Sequence, residues 1–190
     1  MKLGKIGALC KSAKRFVIFN VYGEQWMSDG YAMYPLRDLP TLEEENVYTL
    51  FDIAEERRGK VQYEEKYSAP YGISLADVVE DEVALQSMPI SIIYHGSVLS
   101  PIKCREGILF LDKKYLGPFD EDITLFERFY PSGKRPYIAV KRGLLLEGII
   151  IPSDVATPEL ADMLTNIGEL TALMCEDMSE EDYEQEELEV

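Results

Sequence analysis

Histidine occurs once in this chain of 190 residues, at His95, and tryptophan once, at Trp26. His95 has no partner at metal-ligand spacing, so an ordinary zinc site is not indicated. A Cys–His nucleophile pair would need the fold to carry Cys10, Cys104 or Cys175 to that imidazole. Those three cysteines are odd in number and far apart, which argues against a disulfide framework and a metal ribbon. Long hydrophobic runs are missing as well. The most apolar stretch, Gly143-Leu-Leu-Leu-Glu-Gly-Ile-Ile-Ile-Pro152, is far shorter than the ~20 residues that cross a bilayer. No apolar leader core follows Met1-Lys-Leu-Gly-Lys-Ile-Gly7, so a cytoplasmic location and no membrane contact are expected. Ser132-Gly-Lys134 fails as a phosphate loop, because Arg128 and Arg135 stand where the upstream glycine and the following hydroxyl belong. No cofactor or metal is expected.

Basic residues are the scarcer sign, with 19 Lys and Arg against 35 Asp and Glu for a net charge of -16. The imbalance is uneven. Residues 176–190 hold nine acids and no base, while the first twenty hold Lys2, Lys5, Lys11, Lys14 and Arg15 with no acid. Those segments carry -9 and +5, which leaves -12 in the middle. An acidic body repels nucleic acid, whose affinity for proteins comes mainly from Lys and Arg on phosphates, so any such contact must be local.

What is present is strand pattern and a real core: 46% of the residues are hydrophobic, which excludes wholesale disorder. The fold class expected is α+β, with helices packed on one side of the sheet. Phe16-Val-Ile-Phe-Asn-Val-Tyr-Gly23, Gln25 to Gly30 and Tyr31 to Pro35 read as three strands, followed by Thr41 with Glu44 as a capping box. Val47, Leu50 and Phe51 then make one helical face. Tyr137 to Gly143, Leu144 to Gly148 and Ile149 to Pro152 repeat the order, with Thr157 capping and Pro158 at the first helical position. A duplicated β-β-β-α unit follows from the match. Glu147-Gly148 suggests a bend or bulge. The expected organisation is 1–53 for the N-terminal helix and first unit, and 54–86 for a charged, partly mobile insertion. An antiparallel β-meander and the second unit take 87–175, and a disordered acidic tail takes 176–190.

Four groups are candidates for function. The tail residues Glu180, Glu181, Asp182, Tyr183 and Glu184 would bind a protein partner, including a basic or DNA-binding one. Lys11, Lys14 and Arg15 close an amphipathic helix, where cations also suit an ordinary helix dipole, and are the candidate nucleic-acid contact. Asp29 and Glu147 each precede a glycine and could pair for acid and base work or a divalent cation, although an acid before glycine is routine turn chemistry, which is the reading favoured. Trp26 with Tyr22, Tyr31 and Tyr34 could stack bases, but their alternation suits a sheet with one face buried.

The runs Phe16 to Pro35 and Tyr137 to Pro152 resemble uncharacterised prophage or mobile-element proteins of Gram-positive gut bacteria, a likeness that carries no activity. A basic helix followed by strands with Asp29-Gly30 before the third is also similar to half of a DNA sliding-clamp domain. That likeness implies a nucleic-acid contact through Lys11, Lys14 and Arg15, against which the later helices carry almost no Lys or Arg. The reading taken forward is a non-enzymatic acidic binding protein that acts through a protein partner. A clamp-like accessory protein of DNA metabolism is the alternative.

Overall fold

The strand Arg15–Val21 (β1) is apolar on both sides of its pleat, so a sheet that contains it needs cover on both faces. The computed structural model, which describes residues 1–155 apart from 106, 121, 132 and 134, shows how that cover is supplied. In chain order, α1 (Leu3–Ala13) precedes β1, and β2 (Glu24–Ser28), β3 (Ala32–Pro35), α2 (Glu44–Leu50), α3 (Glu55–Arg58) and β4 (Gln62–Lys66) follow. Next come β5 (Val83–Ala84), β6 (Gln86–Ser87), β7 (Ile92–Tyr94), β8 (Ser97–Cys104) and β9 (Gly107–Asp112). A 3-10 turn (Lys113–Leu116) leads to β10 (Thr124–Phe129), β11 (Pro136–Arg142) and β12 (Leu145–Ile150). The class is α+β, and all these elements lie in the unit Met1–Ser153.

Eight strands make one sheet in the order β4-β1-β2-β3-β12-β11-β10-β5. Two antiparallel runs, β1-β2-β3 and β10-β11-β12, meet where Met33 pairs with Ile149 and Ala32 with Ile150. A second sheet gathers β6, β7 and β9 around β8. Tyr22-Gly23 and His95-Gly96 close hairpins in which both turn residues have positive φ, the mirror-image turn that matches strand twist. Phe16, Ile18, Met27 and Ile138, on one face of the large sheet, share a core with Ile6 and Cys10 of α1, Val47 and Tyr48 of α2, and Ile102 and Leu111 of the small sheet.

The other face carries Val17, Phe19, Trp26, Met33, Tyr137 and Ile149, and takes its cover from Ala69, Ile73 and Leu75. That strap between β4 and β5 is fastened by buried charge. Arg128, with no exposed side-chain surface, donates to the carbonyls of Ser74 at 3.2 Å, Ala76 at 2.8 Å and Asp77 at 3.1 Å. Its Nε also donates to Glu82 at 2.8 Å, and Lys141 donates to the other Glu82 oxygen at 2.5 Å. Burial pushes the Glu82 carboxyl up, but hydrogen bonds from Lys141 and Arg128 prevail and hold it below the usual range.

Several expectations change. Residues 62–66 form a strand parallel to β1 despite their polarity. Arg15 pairs with Glu64 at 3.2 Å there, and a charged strand suits an exposed sheet edge. Thr41 does not cap α2; Glu43 does, with its N–H donated to the Asn46 side chain at 3.2 Å. The reason lies at Leu42, whose N–H and carbonyl are both held by Gln25 of β2, which delays the helix. Leu50 is 46% exposed and Tyr48 takes its place in the core. The meander expected within 87–175 is divided, since β7 belongs to the small sheet and β10 and β11 to the large one. Ser97–Cys104, for which the sequence gives no strand expectation, forms the central strand β8. The run from 144 to 152 holds one strand instead of two. The bulge at Glu147 is present: Val140 pairs with Gly148 and Lys141 with Leu146, which leaves Glu147 as the extra residue. The helix expected from Thr157 and the tail lie outside the described residues.

Candidate functional site: a lysine-rimmed groove beside the first helix

Helix α1 buries Ile6, Gly7 and Cys10, which turns Lys5, Ala8 and Ser12 outward at helical spacing. Facing them are the tip of the β7–β8 hairpin and the 3-10 turn. Between these elements runs an open groove of about 690 Å³, with Ala8, Leu9 and Val98 as its apolar lining and Lys5, Lys113 and Lys114 as its cations. Among the described residues Asp112 is the one acid that lines it. That carboxylate is already engaged: it accepts from Ser97 at 2.9 Å and from the Lys114 backbone at 3.1 Å, and pairs with the Lys114 ammonium at 2.8 Å. Burial pushes the Asp112 carboxyl up, but those three donors outweigh it and hold it below the usual range. Lys113 is held by the Ser91 hydroxyl at 2.7 Å. The Lys5 stem lies along Gly117, and Lys5 has no ion-pair partner among the described residues. Two cations therefore stand over apolar surface that includes Val98, 41% exposed, whose cross-strand partner Ile93 is 78% exposed.

The residues singled out from sequence are dispersed. Lys11 and Lys14 are exposed at the end of α1, but Arg15 enters β1 and turns to the other face of the sheet with Glu64. Those three make no common patch. Asp29 accepts from the N–H groups of Tyr31 and Ala32 at 2.9 and 3.0 Å and thereby closes the β2–β3 turn. Glu147 is bound by Arg37 and Arg142, each at 3.0 Å. Each carboxylate has its own partners, and neither accepts from or pairs with a group held by the other. Trp26 and Tyr34 are core residues, whereas Tyr22 and Tyr31 are exposed, so no stacking platform forms from the four. His95 occupies a turn with positive φ and meets the Tyr94 ring edge-on, centroids 4.3 Å apart. The tail residues 180–184 lie outside the described residues.

The lysines of the groove were missed because Lys5 and the Lys113-Lys114 pair are more than a hundred residues apart. The available signal was Asp112-Lys-Lys, a capping acid followed by two bases within an otherwise acidic chain. Among the described residues no three His, Cys, Asp or Glu side chains gather as a metal site, and no helix is long and apolar enough to cross a membrane. Comparison of the chain with protein-family models, with curated proteins and with solved structures finds no match.

Proposed function

We propose that this chain is a non-catalytic binding protein, of the mobile-element kind its sequence resembles, that acts through a protein partner. One observation carries the reading: the groove beside α1 combines apolar lining with two lysines, Lys5 and Lys113, that are in no ion pair among the described residues, its Asp112 being taken by Lys114. Such a surface suits an acidic segment with apolar side chains on one side. Contact with Ala8, Leu9 and Val98 supplies affinity, and Lys5 and Lys113 set register and sign. A short acidic segment spans only the groove. A nucleic acid strand would run on across a body of net charge -16, where its phosphates are repelled. The 176–190 run, with Glu180, Glu181, Asp182, Tyr183 and Glu184, is proposed as a separate attraction for a basic part of the same partner. The duplication is read as β1-β2-β3 against β11-β12, the second unit over 137–152 holding two strands where three are expected.

Fluorescence anisotropy on the full chain tests the groove, with a labelled acidic amphipathic peptide and a labelled single-stranded DNA as probes. The peptide is expected to bind, and the Lys5→Glu/Lys113→Glu variant to lose most of that binding. No peptide binding overturns the reading. DNA binding that disappears in the same variant replaces it with the clamp-like alternative.

A further inference from the structure

The strap leaves part of the second sheet face uncovered. Where Pro70 and Ile73 end their contact, a cavity of about 230 Å³ opens over β1, β2, β3 and β12. Its apolar surface comes from Val17, Phe19, Met33 and Ile149, and Arg15, Lys66 and Tyr31 stand among its lining residues. The volume equals about eight waters at ~30 Å³ each, enough for one ring or a short chain and too little for a long acyl tail.

Among the described residues, the polar side of this cavity carries more positive charge than its ion pairs neutralise. Arg15 and Lys66 there share a single carboxylate, Glu64, at 3.2 and 3.0 Å. Arg15 Nε is buried and has no hydrogen-bond partner among the described residues. An arginine has five N–H donors in a planar fork suited to a carboxylate, and of those on Arg15, Nη2 is the one that reaches Glu64. Gly30 keeps space beside that fork: a Cβ there would lie 3.1 Å from Arg15 Nη1, at a φ of +104°. The cavity thus offers apolar walls, an under-used guanidinium and one uncancelled positive charge.

We propose that this cavity binds a small apolar carboxylic acid in its ionised form, with the carboxylate on Arg15 and the hydrocarbon body against Phe19, Met33 and Ile149. This site lies on the opposite face of the large sheet from α1 and does not depend on the groove reading. Inorganic phosphate, with no apolar body, leaves most of the cavity empty. The amide of the same acid fills the walls but brings no charge to Arg15.

Methyl NMR of the full-length protein tests the assignment, with sodium phenylacetate, phenylacetamide and inorganic phosphate as probes. Phenylacetate is expected to shift the methyls of Ile73, Met33 and Ile149 saturably. Phenylacetamide should bind at least about tenfold more weakly, the scale of one charge-assisted hydrogen bond. Arg15→Gln should lose the preference for the acid, and Lys5→Glu/Lys113→Glu should keep it. Unmoved methyls, equal binding of acid and amide, or displacement of phenylacetate by phosphate would each overturn the proposal. Should Arg15→Gln fail to fold, the comparison of acid with amide on the unmodified chain still decides.

Discussion

Glu82 shows how much one residue can hold. It is the only carboxylate paired with Arg128 and Lys141 among the described residues, and both of those cations are buried. Removing one partner of a buried ion pair leaves an uncompensated charge, so Glu82→Gln should cost about 3–5 kcal/mol in urea unfolding. The acid dependence follows from the depressed carboxyl. Its folded pKa lies below the unfolded value of about 4.3, so its stabilisation is complete above that value and is lost as pH falls through the folded one. Urea midpoints measured from pH 6 down to pH 3 should drop for the unmodified chain and drop less for Glu82→Gln. Cys10 gives a chemical reading at the same scale. Burial, and then the Asp29 charge, push its thiol up, and a buried thiol is a poor nucleophile. Alkylation followed by mass spectrometry should modify Cys104 in the folded protein and Cys10 only in denaturant.

Among the elements, β12 shows what a local pattern tells and what it omits. Glu147-Gly148 announces a bulge, because an acid with a glycine breaks an apolar run in a recognisable way. It does not announce that pairing resumes beyond it, which depends on β11 and β3 flanking the strand on both sides. Gly148 is also required for space. A Cβ there would lie 2.6 Å from Phe119 Cζ and 3.0 Å from the Met33 carbonyl. Gly148→Ala should therefore destabilise the fold by about 1–3 kcal/mol through overpacking, read as a lower urea midpoint. The edge strand β4 is the converse case. Gln-Tyr-Glu-Glu-Lys has no hydrophobic alternation, so sequence alone assigns it to a loop. It becomes a strand because β1 exposes an unpaired backbone edge and Arg15 supplies the counter-charge for Glu64.

At the scale of the molecule, stability should be graded across the large sheet. Strands β3 and β12 lie in its middle, flanked by β2 and β11, whereas β5 at its edge, like β6 of the small sheet, is two residues long. Hydrogen exchange should be slowest in β3 and β12, and fast in β5 and β6 through local opening. Equal protection throughout would show one cooperative unit instead. By itself the sequence determined the α+β class, the first three strands, the glycine turn at Gly23, and the split of charge between the ends. Each of these rests on periodicity or turn chemistry within about ten residues, which the chain expresses locally. Only the tertiary structure decided that Ser97–Cys104 is a strand, that 67–82 straps the second face, and that Lys5 meets Lys113 across a groove. Those outcomes depend on which surfaces remain uncovered after the sheet forms, a property of distant residues together and of no single stretch.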